Sequence, residues 1–147
     1  MAVGLSLNRN QFKNFSEKFE EIAKEAHTEE IISVVKIDKE ITLKDFTKET
    51  VEALKNLEPF GEANKVPTFI YKNLRIDSIR ALSEGKHLRL TLKDGNSIIN
   101  AIGFNIGNLA DDYLIGDKVD ILGVLEINSY GGVDVVQMNI KDIRKSY

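Results

Sequence analysis

Residues 86–93 alternate without a break. Leu88, Leu90 and Leu92 face one way, and His87, Arg89, Thr91 and Lys93 face the other. A period of two is the mark of a strand with one face in a core and one in water. Asp94-Gly95 closes this strand with a tight hairpin signal. Its neighbours carry similar signs. A long strand that bends is expected over about 68–80, followed by a turn at Ser83-Glu84-Gly85. A third strand is expected over about 97–104, a fourth over 117–127 and a fifth over 133–143. Residues 105–116 break the β pattern and have room for one helical turn. Asn128-Ser129-Tyr130-Gly131-Gly132 reads as the last hairpin loop. Five strands with a helical interruption between the third and fourth follow the order of an OB-fold barrel. A generic five-stranded sheet would give the same pattern.

The stretch before Pro67 has a different period. Ala2 to Leu7 read as a short strand. Asn8 and Gln11 then stand as N-cap and capping-box partner, with Leu7 and Phe12 as the hydrophobic staple. Phe12, Phe15, Phe19, Ile22 and Ala26 recur every three or four residues, which predicts a helix with an apolar face directed to a core. Residues 31–37 are rich in β-branched side chains and predict a strand. Thr47 is the expected N-cap of a second helix, with Phe46 and Val51 as its staple and Val51, Leu54 and Leu57 on its inner face. That helix ends before Pro59, which has no amide hydrogen to donate. Residues 58–67 hold both prolines and Gly61. They are expected to form a connector of fixed shape and a domain boundary.

Composition removes several classes of function. The chain has no cysteine, so disulfide frameworks, thiolate metal sites and cysteine nucleophiles are excluded. His27 and His87 are its two histidines and lie far apart in sequence. There is no phosphate-cradling glycine loop followed by Lys-Ser or Lys-Thr, since the run from Gly103 to Gly107 lacks the lysine. Asp111-Asp112 is an adjacent acidic pair, but sequence neighbours point in different directions, and a solvated loop explains it. No nucleophile–base–orienter set can be assembled, so catalytic residues and a metal site are both expected to be absent. No apolar run approaches the length of a membrane span, and the N-terminus lacks a signal-peptide layout. The expected compartment is the cytoplasm, with no membrane partner.

Binding is easier to read from these residues. The net charge is −3. Residues 72–93 nevertheless hold Lys72, Arg75, Arg80, Lys86, Arg89 and Lys93 against only Asp77 and Glu84. A local basic stretch in a mildly acidic chain suits an anionic polymer, although lysine and arginine also guard strand edges. A single-strand site needs cations along a groove and an aromatic face for stacking. The outward side of the second strand offers His87, Arg89 and Lys93, with Lys86 at its start and Arg80 across the turn. Tyr130, set among polar and glycine residues, is the candidate stacking ring. In OB folds the second and third strands and the 1–2 and 4–5 loops form the ligand face. The expected nucleic-acid-binding set is therefore Arg80, Lys86, His87, Arg89, Lys93 and Tyr130.

Several segments resemble the RecJ family of single-strand-specific 5′→3′ DNA exonucleases. LEPFGEAN at 57–64 resembles that family's connector. GLSL at 4–7 is similar to the end of its DHHA1 domain. GKHLRLTL at 85–92, AIGF at 101–104, GDKVDILGVLEIN at 116–128 and QMNIKDIR at 137–144 resemble the strands of its appended OB domain. Ala63 and Lys65 depart from the connector's usual glycine and proline. The resemblance implies an α+β chain with three parts: a DHHA1 remnant over 1–45, a helix and connector over 46–67, and a five-stranded OB-fold β-barrel over 68–147. It further implies the C-terminal part of a DNA repair and recombination hydrolase, with Met1 an artificial start. The manganese- or magnesium-binding DHH catalytic core would lie outside the chain, and this part would need no cofactor. Single-stranded DNA and that missing core are the implied partners. Two alternatives belong to other classes: an OB module that docks a partner protein or braces the core, and a free-standing RNA- or DNA-binding OB protein.

Overall fold

A computed structural model describes residues 4–26 and 34–146 of the 147-residue chain. The chain divides into two compact units, Met1–Val35 and Lys36–Tyr147. In the first, a 3₁₀ turn, Arg9–Gln11, leads into helix α1, Phe12–Ala26. Asn8 holds the extended N-cap conformation, and its carbonyl accepts from the Gln11 amide at 2.8 Å, but its side chain makes no capping bond. Three expectations change in this unit. Residues 4–8 form no strand, because no ladder partner meets them among the described residues; Ala2 and Val3 lie outside these. The aromatic stripe of α1 is not core, since Phe12, Phe19 and Ile22 are more than 60% exposed and only Phe15, stacked on Phe19 at 5.7 Å, is half-buried. Leu7 and Phe12 are both exposed, so the staple buries little.

The strand expected over 31–37 is not formed at 34–37, where Val34, Val35 and Ile37 are exposed; residues 31–33 lie outside the described residues. Pairing begins two residues later, in β1, Lys39–Ile41. A β-branched run has strand propensity, but it becomes a strand only where a neighbour supplies hydrogen bonds. Helix α2, Lys48–Leu54, starts as expected, with the Thr47 hydroxyl accepting from the Thr50 amide at 3.2 Å. Val51 is buried, and Phe46 packs against the core with its ring 6.3 Å from that of Tyr71. Leu57 is half exposed rather than inward, because the chain tightens into a 3₁₀ turn, Lys55–Leu57, which rotates it off the helix face. Residues 58–67 keep a defined path, with the Asn64 amide donating to the carbonyls of Leu57 and Pro59 at 2.7 and 3.1 Å. They lie inside the second unit, together with β1 and α2.

Five long strands follow: β2, Phe69–Leu82; β3, His87–Asp94; β4, Ser97–Gly103; β5, Lys118–Tyr130; and β6, Val133–Lys145. They pair in the order β1-β2-β3-β4-β6-β5, and β2 also pairs with β5, so the five long strands close on themselves. This is the OB-fold barrel, with β1 added parallel to β2. Closure needs β2 to bend, and its register shifts at Tyr71/Leu74 and at Ile76/Ser78 let it serve β5 with one half and β3 with the other. The interior is filled by Leu74, Ile76, Leu88, Leu90, Leu92, Ile99, Val119, Ile121 and Met138, all essentially inaccessible. The short helical turn expected between the third and fourth strands is the 3₁₀ segment Gly107–Asp111.

Candidate nucleic-acid interface

The outward face of β3 and β4 is built by alternation. On β3, Leu88, Leu90 and Leu92 go inward and leave His87, Arg89, Thr91 and Lys93 outside. On β4, Ile99, Ala101 and Gly103 go inward and leave Ile98, Asn100 and Ile102 outside, with Phe104 next in the same phase. The register sets Arg80 of β2 directly opposite Arg89. Like charges opposite each other on a sheet are destabilising, and no carboxylate among the described residues pairs with either one or with Lys86. A polyanion lying across the two strands would relieve that repulsion.

Beside Arg89 the sheet sinks into a groove of about 580 Å³ lined by Arg89, Asn100, Phe104, Asn128, Val135 and Gln137, among others. Phe104 is 49% exposed at its rim. The His87 ring meets it edge-on, with centroids 5.2 Å apart. His87 Nδ1 accepts from the Asn105 amide at 3.2 Å, which assigns the proton of the neutral ring to Nε2. This corner is held from behind by Gly107, whose amide donates to the Lys86 carbonyl at 3.2 Å. A Cβ there would stand 2.1 Å from the Gly85 carbonyl oxygen. The two glycines of the 103–107 run therefore serve close packing.

The structure thus brings Arg80, His87 and Arg89 to one face, with Lys86 exposed at its end. Lys93 is engaged with Asp77 at 2.6 Å, because the β2 bulge turns Asp77 toward it. The last hairpin is tighter than expected. Asn128, Ser129 and Tyr130 continue the β5 ladder, and Gly131-Gly132 alone make the turn at φ 61° and 80°. Tyr130 accordingly sits at a strand end, and its side chain lies outside what the structure describes. Phe104 is absent from the sequence-based set, although extending the outward phase Ile98, Asn100, Ile102 by one step would have found it.

Among the described residues no cluster of three or more His, Cys, Asp or Glu could hold a metal ion. Asp111 and Asp112 are exposed, and among the described residues no ion pair involves either carboxylate. The donor set among the described residues does not fit a catalytic divalent metal. No described helix is long and apolar enough to cross a membrane.

Three comparisons bear on this surface. Residues 37–142 match the family model described as RecJ OB domain. The single-stranded-DNA-specific exonuclease RecJ of Bacillus subtilis is 29% identical over 97% of this chain, which covers 18% of that protein. RecJ of Haemophilus influenzae is 30% identical over 94% of the chain, covering 24% of its own length. The chain therefore spans about a fifth to a quarter of these curated relatives. The crystal structure of RecJ from Thermus thermophilus in complex with Mn2+ superposes with a TM-score of 0.73 at 24% identity, over 98% of this chain and 20% of that one.

Proposed function

Because this chain belongs to the RecJ OB domain family, we propose that it is the single-stranded-DNA grip of a RecJ-like 5′→3′ exonuclease acting in cytoplasmic DNA repair and recombination. The observation that carries this reading is the groove between Arg89 and Phe104, which joins an unpaired cation to an exposed ring on one barrel face. Arg80, Arg89 and Lys86 meet phosphates, and Phe104, braced by His87, stacks a base. Tyr130 and Lys93 stay as candidate contacts toward the hairpin end of these strands, Lys93 at the expense of its bond to Asp77. A site of this kind tethered to a nuclease raises the local concentration of the strand at the cutting centre. The apolar stripe Phe12, Phe19 and Ile22 of α1, exposed within its own unit, favours a second role, as a surface that the remainder of a longer chain would brace against.

The test is a salt series of anisotropy titrations with a labelled oligonucleotide. With three phosphate contacts the log–log slope is expected near about −2, from roughly −0.7 per contact on single strands. Arg89→Ala should weaken binding and make the slope shallower by about 0.7. Phe104→Ala should cost about 1–3 kcal/mol with the slope unchanged, because stacking releases no counterions. Tighter binding to duplex, or a Phe104→Ala protein that binds like its parent, would sink this site.

The chain is also expected to release no nucleotides from DNA with manganese or magnesium added, since among the described residues no cluster of side chains offers a place for the ion to activate water. Metal-dependent degradation that co-elutes with the chain in gel filtration would contradict this.

A further inference from the structure

One residue of the groove wall, Gln137, belongs to an arrangement that positive charge and stacking do not explain. Glu126 on β5 faces Gln137 and Asn139 on β6. Its carboxylate accepts from Gln137 Nε2 at 2.6 Å and from Asn139 Nδ2 at 3.2 Å. An ionised carboxylate only accepts, so both amides must turn their nitrogens toward Glu126 and their oxygens away. The orientation, which geometry often leaves open for Asn and Gln, is decided here by chemistry. Among the described residues the buried Asn139 Oδ1 meets no donor.

Gln137 shows this arrangement to the outside. It lines the groove with Arg89, Asn100 and Phe104, and Asn100 is its direct partner on β4. Its Oε1 enters no hydrogen bond within the described residues and is not among the buried unpartnered atoms. A base stacked at Phe104 would therefore meet a carbonyl oxygen on this side, fixed as an acceptor by the carboxylate behind it.

Resting on the single-strand reading above, we propose that Gln137, positioned by Glu126, makes the groove selective for bases that present an exocyclic amino group. Cytosine and thymine give the sharpest contrast. They are similar in size and stack similarly, but cytosine offers an N4 amino donor where thymine has the O4 acceptor. An acceptor facing an acceptor leaves both unpaired, so thymine is penalised as well as unrewarded.

The probes are labelled dC12 and dT12 at pH 8, where cytosine stays neutral. The parent chain should bind dC12 about threefold to tenfold more tightly, the worth of one hydrogen bond. Glu126→Gln gives Gln137 a partner that can donate as well as accept. Gln137 can then turn and offer Nε2, so the preference should vanish or reverse while the salt slope stays as in the parent. Gln137→Leu, which keeps the bulk and removes the polar end, should also abolish the preference and retain the slope. Equal binding of dC12 and dT12 by the parent, with a normal salt slope, overturns this proposal and leaves the single-strand reading standing. A full preference retained by Gln137→Leu overturns it too. Failure to bind either oligonucleotide removes both.

Discussion

Gly123→Ala should lower the unfolding free energy by at least about 3 kcal/mol, the range of changes that force backbone apart. A Cβ at this position would stand 2.2 Å from the Asn139 carbonyl oxygen, 2.9 Å from its carbon and 3.2 Å from the Ile140 Cα. All three are backbone atoms of β6, so no side chain can swing away to make room. Gly123 also pairs with Phe69 of β2, so β5 is gripped on both sides and cannot shift to relieve the clash. It lies where the β5–β6 register slips between Leu122 and Gly123, the kind of bulge at which two backbones approach closely. Gly61→Ala is the control, since its Cβ would meet nothing within 4 Å, and it should stay within about 0.5 kcal/mol of the parent. Chemical denaturation of the three proteins decides the matter. A Gly123→Ala barrel within 1 kcal/mol of the parent would mean that β5 and β6 lie further apart than described.

The barrel was readable where its causes are local. The period of two in 86–93 needs only one apolar side, and β3 has it. The Thr47 cap is a contact between residues three apart, and it forms. The expectations that fail depend on what lies across from a segment. Residues 31–37 have the composition of a strand, but pairing waits until Lys39 meets Phe69. The stripe of α1 has helical spacing, but spacing does not say whether anything covers it. The polar character of Asn128 and Ser129 suggests a loop, yet a two-glycine turn matches the strand twist and lets the ladder run on to Tyr130.

The candidate interface was legible to the same degree. Arg89 and His87 follow from alternation, and Arg80 joins them through the hairpin register. Lys93 looked equivalent to Arg89 on β3. Only the extra residue in β2 brings Asp77 against it, and no pattern within β3 carries that information. Phe104 falls at the point where the strand ends, so its ring reads as the close of an apolar run. The Glu126 clamp joins residues eleven and thirteen apart across the last hairpin, and it becomes visible only once that register is known.

Asp120→Ala should destabilise the chain by about 2–3 kcal/mol at pH 7, and the difference should shrink in acid. Asp120 is buried at the start of β5, with its side chain only 9% exposed. It accepts from the Asn73 amide at 3.1 Å, from Arg144 Nε and Nη2 at 3.2 and 3.1 Å, and from the Ser146 hydroxyl. Asn73 holds a positive φ of 57° in the first irregularity of β2. One carboxylate thus fastens the bend of β2 to the end of β6, the two places where the barrel has to be closed. Burial pushes its pKa up, but the bonds from Ser146, Asn73 and Arg144 outweigh that and hold it below the ordinary carboxylate value. A carboxylate with a lowered folded pKa contributes stability that is fully present above its unfolded value, about 3.9, and is lost as pH falls through the folded value. The parent should therefore lose stability below about pH 4 more steeply than Asp120→Ala does. Arg144→Ala removes a partner that is itself 63% exposed, so it should cost less, about 1 kcal/mol. Thermal melts of the parent and both variants from pH 7 to pH 2.5 give the comparison. Parallel pH profiles for parent and Asp120→Ala would show that this carboxylate does not fasten the barrel.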